Sequence, residues 1–383
     1  MNLRVQPAVI GCAIEARLDD PSRSLEETLF DVSTAALRSA GLTFEDIDGI
    51  VVAGNDQYDG RAISIMAASG SVGGVDRDIL STPSASEHAF VLGALRVASG
   101  QYRTQLVVAW SPTEAHSLAE AQRLAADPYF HRRLPLDETA SHALQANALE
   151  AAAPGTRDLA QAIAAKNRRQ GAVARAGADR ADASPRVSPP WPLTAEMIAP
   201  PNSGAVAMVL ASADLVRDRG ASPAAWLRGM GWATESSFMG DRNLSTAPAL
   251  GAAVSQAYAS AGVDDPMEQI ALAEIADATP YQELLAYEGL RFCSRTEWAE
   301  RVKAGAFARG GRLPVNLSGG AQTNNPVFCT GLVSIAETAN QVLGRAGAHQ
   351  CAAVDLTVAH AASGFAMQYH TVVVLGREQG AAR

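Results

Sequence analysis

The sequence predicts an α/β protein built from one duplicated unit. Short apolar runs alternate with Ala-rich helical stretches, glycines punctuate the ends of those stretches, and the same order of elements recurs in the two halves. In the first half, Ser24-x-x-Glu27 has the form of a capping box, in which each side chain accepts from the other residue's backbone N–H at a helix start. The helix it opens runs through Thr34–Ala40 to Gly41. Glycine ends helices readily because it accepts a left-handed backbone. A polar loop follows, then Ile47–Val52, which fits a buried strand. The second half repeats the rhythm with Ala257–Ala261, Gly262, a polar loop, and Ile270–Glu274. Each half then continues with a helix and a strand. These are expected at Ser86–Ser99 with Gln105–Trp110, and at Pro326–Leu343 with Cys351–Ala359. Ser203–Leu210 reads as a further buried strand of the first half. Agreement in the order of several elements argues for duplication, where one Ala-rich match would not. The halves divide near residue 240, giving 1–240 and 241–383.

Between about 112 and 202 the pattern loses its regularity. Asp127–His131, a helical stretch at Thr156–Gln170 and a Pro-rich run from Pro185 to Pro201 form an insertion on the first half. Insertions of this kind cover active sites or build dimer contacts.

Bulk properties bound the function. The chain has 383 residues, 48% of them hydrophobic and 19% charged, which suits a folded globular protein. A net charge of −9 and a single short basic cluster, Lys166–Arg169, give no footprint for nucleic acid. The four cysteines, at 12, 293, 329 and 351, have no metal or disulfide spacing and fit a reducing cytoplasm. The apolar segment near the N-terminus is interrupted at Glu15 and Arg17, too soon for a signal peptide. No run approaches the ~20 apolar residues of a membrane helix. Asp19-Asp20 and Asp264-Asp265 read as loop acids, and no metal site is expected. Lys166 and Lys303 are the only lysines, and both read as exposed. A Schiff base needs a desolvated lysine, so that chemistry is not expected. No Gly-x-Gly-x-x-Gly follows a strand, so dinucleotide binding is not expected either.

Two segments carry the chemistry. Pro83-Ser84-Ala85-Ser86-Glu87-His88 opens one helix, and Asn316-Leu317-Ser318-Gly319-Gly320 followed by Asn324-Asn325-Pro326 opens another. A helix start offers unpaired N–H groups and the positive end of its dipole. Ser84-x-x-Glu87 reads as a capping box. Histidine titrates near neutrality, so His88, in the first turn of the first helix, and His360, which the resemblance described next implies lies near a catalytic histidine of some members, are the acid/base candidates. His360 is placed in the loop after the last long strand.

These segments resemble the thiolase superfamily, and more narrowly its sterol-carrier-protein thiolase, or lipid-transfer, branch. Asn316-x-x-Gly319-Gly320 resembles the family's Asn-x-x-Gly-Gly, and Asn325-Pro326 falls on its Gly-His-Pro. Ala164-Ala165-Lys166-Asn167, Ser203-Gly204-Ala205-Val206-Ala207 and Glu274-Ile275-Ala276-Asp277-Ala278 resemble further family signatures across nearly the whole chain. The resemblance implies a five-layered αβαβα fold in which two mixed sheets sandwich two central helices. It also implies a homodimer and a coenzyme A thioester as substrate, with no bound cofactor. The chain departs from the family where chemistry is done. Pro83 or Ser84 stands where the nucleophilic cysteine is expected, and Asn325 replaces the catalytic histidine. Cys329 reads as a buried inert thiol. Asn316 and Asn325 are the candidate oxyanion donors. Ser84, Ser86, Asn324, Gly319, Gly320, Ser363 and Gly364 are the candidate substrate-binding positions.

Three functions follow from the resemblance. Retro-aldol cleavage of a β-hydroxyacyl-CoA needs no acyl-enzyme, and cysteine-free members of the branch perform it with a zinc-ribbon/OB-fold partner. Acyl transfer needs a nucleophile such as Ser84. A non-catalytic subunit keeps the fold for assembly.

Overall fold

A computed structural model describes residues 5–16, 23–60, 63–111, 118–134, 136–175, 188–220 and 223–380. Met1–Arg4, Arg17, Asp19-Asp20, the start of the insertion and the first part of the Pro-rich run lie outside the described residues.

The first copy begins with β1 (Pro7–Ala16), α1 (Leu25–Ala40), β2 (Gly49–Ala53), α2 (Asp56–Asp59), α3 (Ser64–Ser71) and β3 (Asp78–Thr82). It continues with α4 (Ser86–Ala98) and β4 (Thr104–Ser111). The insertion contributes α5 (Leu118–Ala125), α6 (Glu138–Ala152) and α7 (Thr156–Ala174), and β5 (Gly204–Ser212) with α8 (Ala213–Asp218) closes the copy. The second copy runs β6 (Ala225–Thr234), α9 (Pro248–Ala261), α10 (Pro266–Gln269), β7 (Leu272–Ile275), α11 (Pro280–Gly289) and α12 (Trp298–Lys303). It ends with α13 (Thr330–Leu343), β8 (Leu356–Ser363) and β9 (Tyr369–Gly376).

The strands lie in the order β3-β2-β4-β5-β1-β6-β9-β8-β7. Val315 extends this row by a parallel bridge to Ala273 of β7. Read outward from the centre, both arms repeat one plan. The first strand of each copy meets its counterpart at the middle, and β2 and β7 run parallel to β4 and β8. The copies are thus joined edge to edge through a short β1–β6 ladder, Ala8↔Trp226 and Val9↔Ala225. The two mixed sheets expected of the fold are thus the two arms of one nine-stranded row. On strand order β6 belongs with the second copy, and residue 240 falls in the loop after it.

Three cores account for the five layers. One packs α1 against the outer face of β1, β2, β4 and β5. A second lies between the arms, around α4 and α13 and the inward residues of both sets of strands. The third packs α9 and α11 on the outer face of β7, β8 and β9. Strands β2, β4 and β5 are buried at every position, as strands covered on both faces must be.

Local sequence explains most of the elements. The Ser24/Glu27 capping box is formed, and Gly41, Gly262 and Gly344 close α1, α9 and α13 with left-handed backbones. The duplication extends to detail. β1 shifts register between Val9 and Gly11, and β6 between Leu227 and Gly229. At each shift a glycine lets a helix lie directly on the strand. A Cβ on Gly11 would stand 2.5 Å from the Ala36 carbonyl oxygen of α1, and one on Gly229 would stand 2.0 Å from that of Ala257 in α9.

Three expectations change. α13 starts at Thr330 rather than Pro326, because Pro326–Cys329 forms a turn closed by the Cys329 N–H on the Pro326 carbonyl. β8 is displaced toward the C-terminus and contains His360, because β9 pairs with it along its whole length to Ser363↔Tyr369. The insertion's α6 and α7 pack on the core of the second copy, where Ala146, Leu149, Ala160 and Ile163 join α11. Among the described residues, no helix is long and apolar enough to cross a membrane.

Candidate functional site

A cavity of about 790 Å³ opens at the starts of α4 and α13. Pro83, Ser84 and Ala85 bring in the first helix start, and Asn325, Thr330 and Gly331 the second. The end of β8 supplies His360, Ser363 and Gly364, and the insertion supplies Gln122, His131, Glu138 and His142.

The helix starts are arranged by their own side chains. The Ser84/Glu87 capping box does not form, and α4 has Ala85 at its cap position without a side-chain cap bond. Ser84 Oγ instead lies 2.7 Å from His88 Nδ1 and 3.0 Å from Thr82 Oγ1. The His88 ring meets the edge of Tyr369, which lines the cavity. Ser86 does not reach the cavity. It is fully buried, and its hydroxyl accepts from the Leu332 N–H at 3.0 Å, capping α13 from across the interface. Glu87 is also buried. Its carboxyl accepts from Ser363 Oγ at 2.9 Å and lies so close to Gly331 that a Cβ there would stand 2.3 Å from Oε2. A carboxyl of the chain itself therefore sits between the first turns of the two helices, where an anion is favoured.

His360 is wholly buried inside β8, not in a loop. Its Nε2 lies 3.1 Å from His370 Nδ1, and its Nδ1 has no partner among the described residues. Burial, then the neighbouring His370, holds its pKa well below the usual histidine range. Burial, then Arg242, holds His370 at about 3. The pair is neutral at pH 7. His360 is thus a neutral hydrogen-bonding group of the cavity wall.

Asn316 stands behind the wall. Its Oδ1 accepts from the Ile275 N–H at 2.7 Å and its Nδ2 donates to Glu283 at 3.0 Å, so the expected oxyanion donor is committed to the scaffold. Asn325 lines the cavity, with one N–H of its amide given to the Ala199 carbonyl at 3.0 Å. Asn324, Gly319 and Gly320 do not line it. Asn324 is buried and accepts from Asn202. Gly319 and Gly320 make the turn with φ of 90° and 59°, Gly320 pressed on the Asp277 carboxyl. Gly364, at φ 74°, turns the chain after β8.

Lys166 is buried, against expectation. Its Nζ donates to Glu283 at 2.6 Å and to the Val315 carbonyl at 3.0 Å. Asn167 bridges Glu283 and Asp277 beside it. This network fixes the Asn316–Gly320 loop: Asp277 accepts from the Ala321 N–H at 2.7 Å, and Glu274 accepts from Ser318. Of the four cysteines, none lines the cavity. Cys329 Sγ points to the Gly204 carbonyl at 3.7 Å, and burial pushes its pKa up.

Glu138 and His142 are functional candidates that the sequence did not reveal. Both sit in an Ala-rich helix with no motif around them, and only the folding of the insertion over the cavity exposes them to it. Burial pushes the Glu138 carboxyl up to about 7 and the His142 imidazole down to about 4.

Residues 231–377 match the family model of the thiolase C-terminal domain-like group. An acetyl-CoA acetyltransferase of Methanothermobacter thermautotrophicus is 28% identical over 163 residues, 42% of this chain and 42% of that protein. The solved Ltp2-ChsH2(DUF35) aldolase superposes over 100% of both chains with a TM-score of 0.78 at 20% identity. A monomeric SCP2-thiolase-like protein type 1 from Mycobacterium smegmatis matches with a TM-score of 0.69 at 18% identity, covering 99% of this chain and 78% of that one. Residues 231–377 thus carry a thiolase C-terminal-like domain, and the chain shares the fold of these thiolase-like structures along nearly its whole length.

Proposed function

We propose that the protein cleaves β-hydroxyacyl-CoA thioesters by a retro-aldol reaction. The observation that carries the reading is a cavity at two helix starts that holds the neutral imidazole of His360 and no thiol. Without a thiolate, the family's acyl-enzyme route lacks its nucleophile. Retro-aldol cleavage needs only a group to take the β-hydroxyl proton and a donor to the thioester oxygen as the enolate forms. A neutral histidine suits the second task, because it polarises a carbonyl without surrendering its proton. Glu87 already meets the helix ends, so this donation falls to His360 and the second amide N–H of Asn325. The thioester's coenzyme A part is supported by the acetyl-CoA acetyltransferase relative, and the reaction and a DUF35-type partner by the Ltp2-ChsH2(DUF35) aldolase.

Ser84 supports a second reading. Its hydroxyl lies within hydrogen-bond reach of His88 at the helix start, a nucleophile–base arrangement suited to acyl transfer. One experiment separates the two. The protein is incubated with a β-hydroxyacyl-CoA, with and without a DUF35-type partner. The lyase reading expects a ketone or aldehyde and a shortened acyl-CoA, with the protein mass unchanged. An acyl adduct on Ser84 without carbonyl product overturns it in favour of acyl transfer.

We also propose a homodimer formed through β3. This strand is at the edge of the sheet, with Leu80 exposed and the exposed Met66 and Val75 on the neighbouring segment.

A further inference from the structure

The insertion contributes Gln122, His131, Glu138 and His142 to the cavity wall, and Glu138 is the carboxyl among these four. It is the first residue of α6, behind the cap Asp137, whose side chain accepts from the Ala140 N–H at 2.8 Å. Gln122 of α5 grips it twice. Its amide nitrogen donates to Glu138 Oε2, and its oxygen accepts from the Glu138 N–H at 3.4 Å. Tyr58 of α2 lines the same cavity as Gln122 and Glu138. On its own helix, His142 places Nε2 3.9 Å from Glu138 Oε1, but that imidazole is held neutral and is no counter-ion. Among the described residues, no lysine or arginine pairs with Glu138.

The same cluster is tied to both helix starts through α2. Asn55 donates to the Pro83 carbonyl at 2.9 Å, and the Tyr58 ring lies 5.9 Å from that of Phe328. About 30% of the Glu138 side chain remains open, and it lines the cavity. It is therefore a clamped carboxyl, without a cation among the described residues, on the wall of the cavity that also takes in both helix starts.

We propose that Glu138 is the proton-transfer residue of the C–C cleavage, an assignment that rests on the lyase reading above. Its carboxylate takes the β-hydroxyl proton as the Cα–Cβ bond breaks and the bonding pair moves into the thioester enolate. The resulting carboxyl then returns that proton to Cα. The products are a ketone or aldehyde and the shortened acyl-CoA, and no other reactant is consumed. Burial raises Glu138 to about 7, against the opposing pull of Gln122, so both protonation states are populated at neutral pH, as a group that both takes and returns a proton requires.

The test compares wild-type, Glu138→Gln and Gln122→Ala full-length proteins, each with the partner used above. Glu138→Gln is expected to lower kcat by about 10²–10⁴-fold with KM for the thioester nearly unchanged. The rise of kcat/KM through about pH 7 is expected to disappear in that variant and to move in Gln122→Ala. A Glu138→Gln protein with kcat and pH profile like wild type overturns the assignment while leaving the lyase reading intact. A wild-type complex that gives no carbonyl product overturns the lyase reading, and this role with it. Infrared titration of the carboxyl needs no turnover. A Glu138 band, identified by its loss in Glu138→Gln, that titrates in the ordinary carboxylate range also overturns the assignment.

Discussion

The hydroxyl of Ser86 serves a helix other than its own. It sits in the first turn of α4 and accepts from the Leu332 N–H in the first turn of α13. α13 has no side-chain cap of its own, so this bond replaces one. Ser86→Ala is expected to cost about 1–2 kcal/mol, since it leaves a buried N–H unpaired. A urea midpoint that does not move at constant slope would show the bond to be dispensable. Glu87 is the second residue whose neighbourhood defines its part. Beside Gly331 and Ser363 it fills the position that an incoming anion would otherwise take. Motif spacing identified both residues as belonging to a helix start. It could not tell which of them faces the cavity, because the answer depends on a helix about 245 residues further along the chain.

At the level of elements, the two central helices and the edge strand matter most. α4 and α13 are largely buried because they lie between the two arms of the sheet. β3 is the contrast. Among the described residues its outer edge has no strand beside it, and four of its five residues are exposed or half-buried. Unpaired ladder groups next to exposed apolar side chains favour pairing with another chain. Leu80→Lys is expected to shift the protein from dimer to monomer in sedimentation equilibrium. A wild-type protein that sediments as a monomer sinks the dimer proposal.

At the level of the whole molecule, buried histidines set the acid limit of stability. His142 has a folded pKa of about 4, below the ~6.5 of an unfolded chain. Its contribution is therefore complete above about pH 6.5 and is lost as pH falls toward 4. Glu138, raised to about 7, works the other way, losing its contribution as pH climbs from the unfolded carboxyl range through 7. His360 and His370, lowered further still, add slopes of the same sign as His142, so a difference measurement is needed to isolate His142. Relative to His142→Gln, wild-type stability is expected to fall by about 1.4 kcal/mol per pH unit between pH 6.5 and 4. Parallel stability curves for the two proteins would contradict the burial of this imidazole.

What the sequence determined by itself is the architecture. Helix caps such as Ser24/Glu27 and Gly41, and the buried runs of β2 and β5, are local signals, and local backbone and solvation energies dictate their outcome. The repeat of those signals was enough to give the duplication and the two helix starts. The tertiary structure alone decided which side chains meet. It put His360 inside a strand against His370, spent Asn316 on Glu283, buried Lys166, and turned Glu138 from an unremarked helix residue into a cavity wall. These outcomes depend on desolvation and on partners 10 to 149 residues away, and neither is encoded in spacing along the chain.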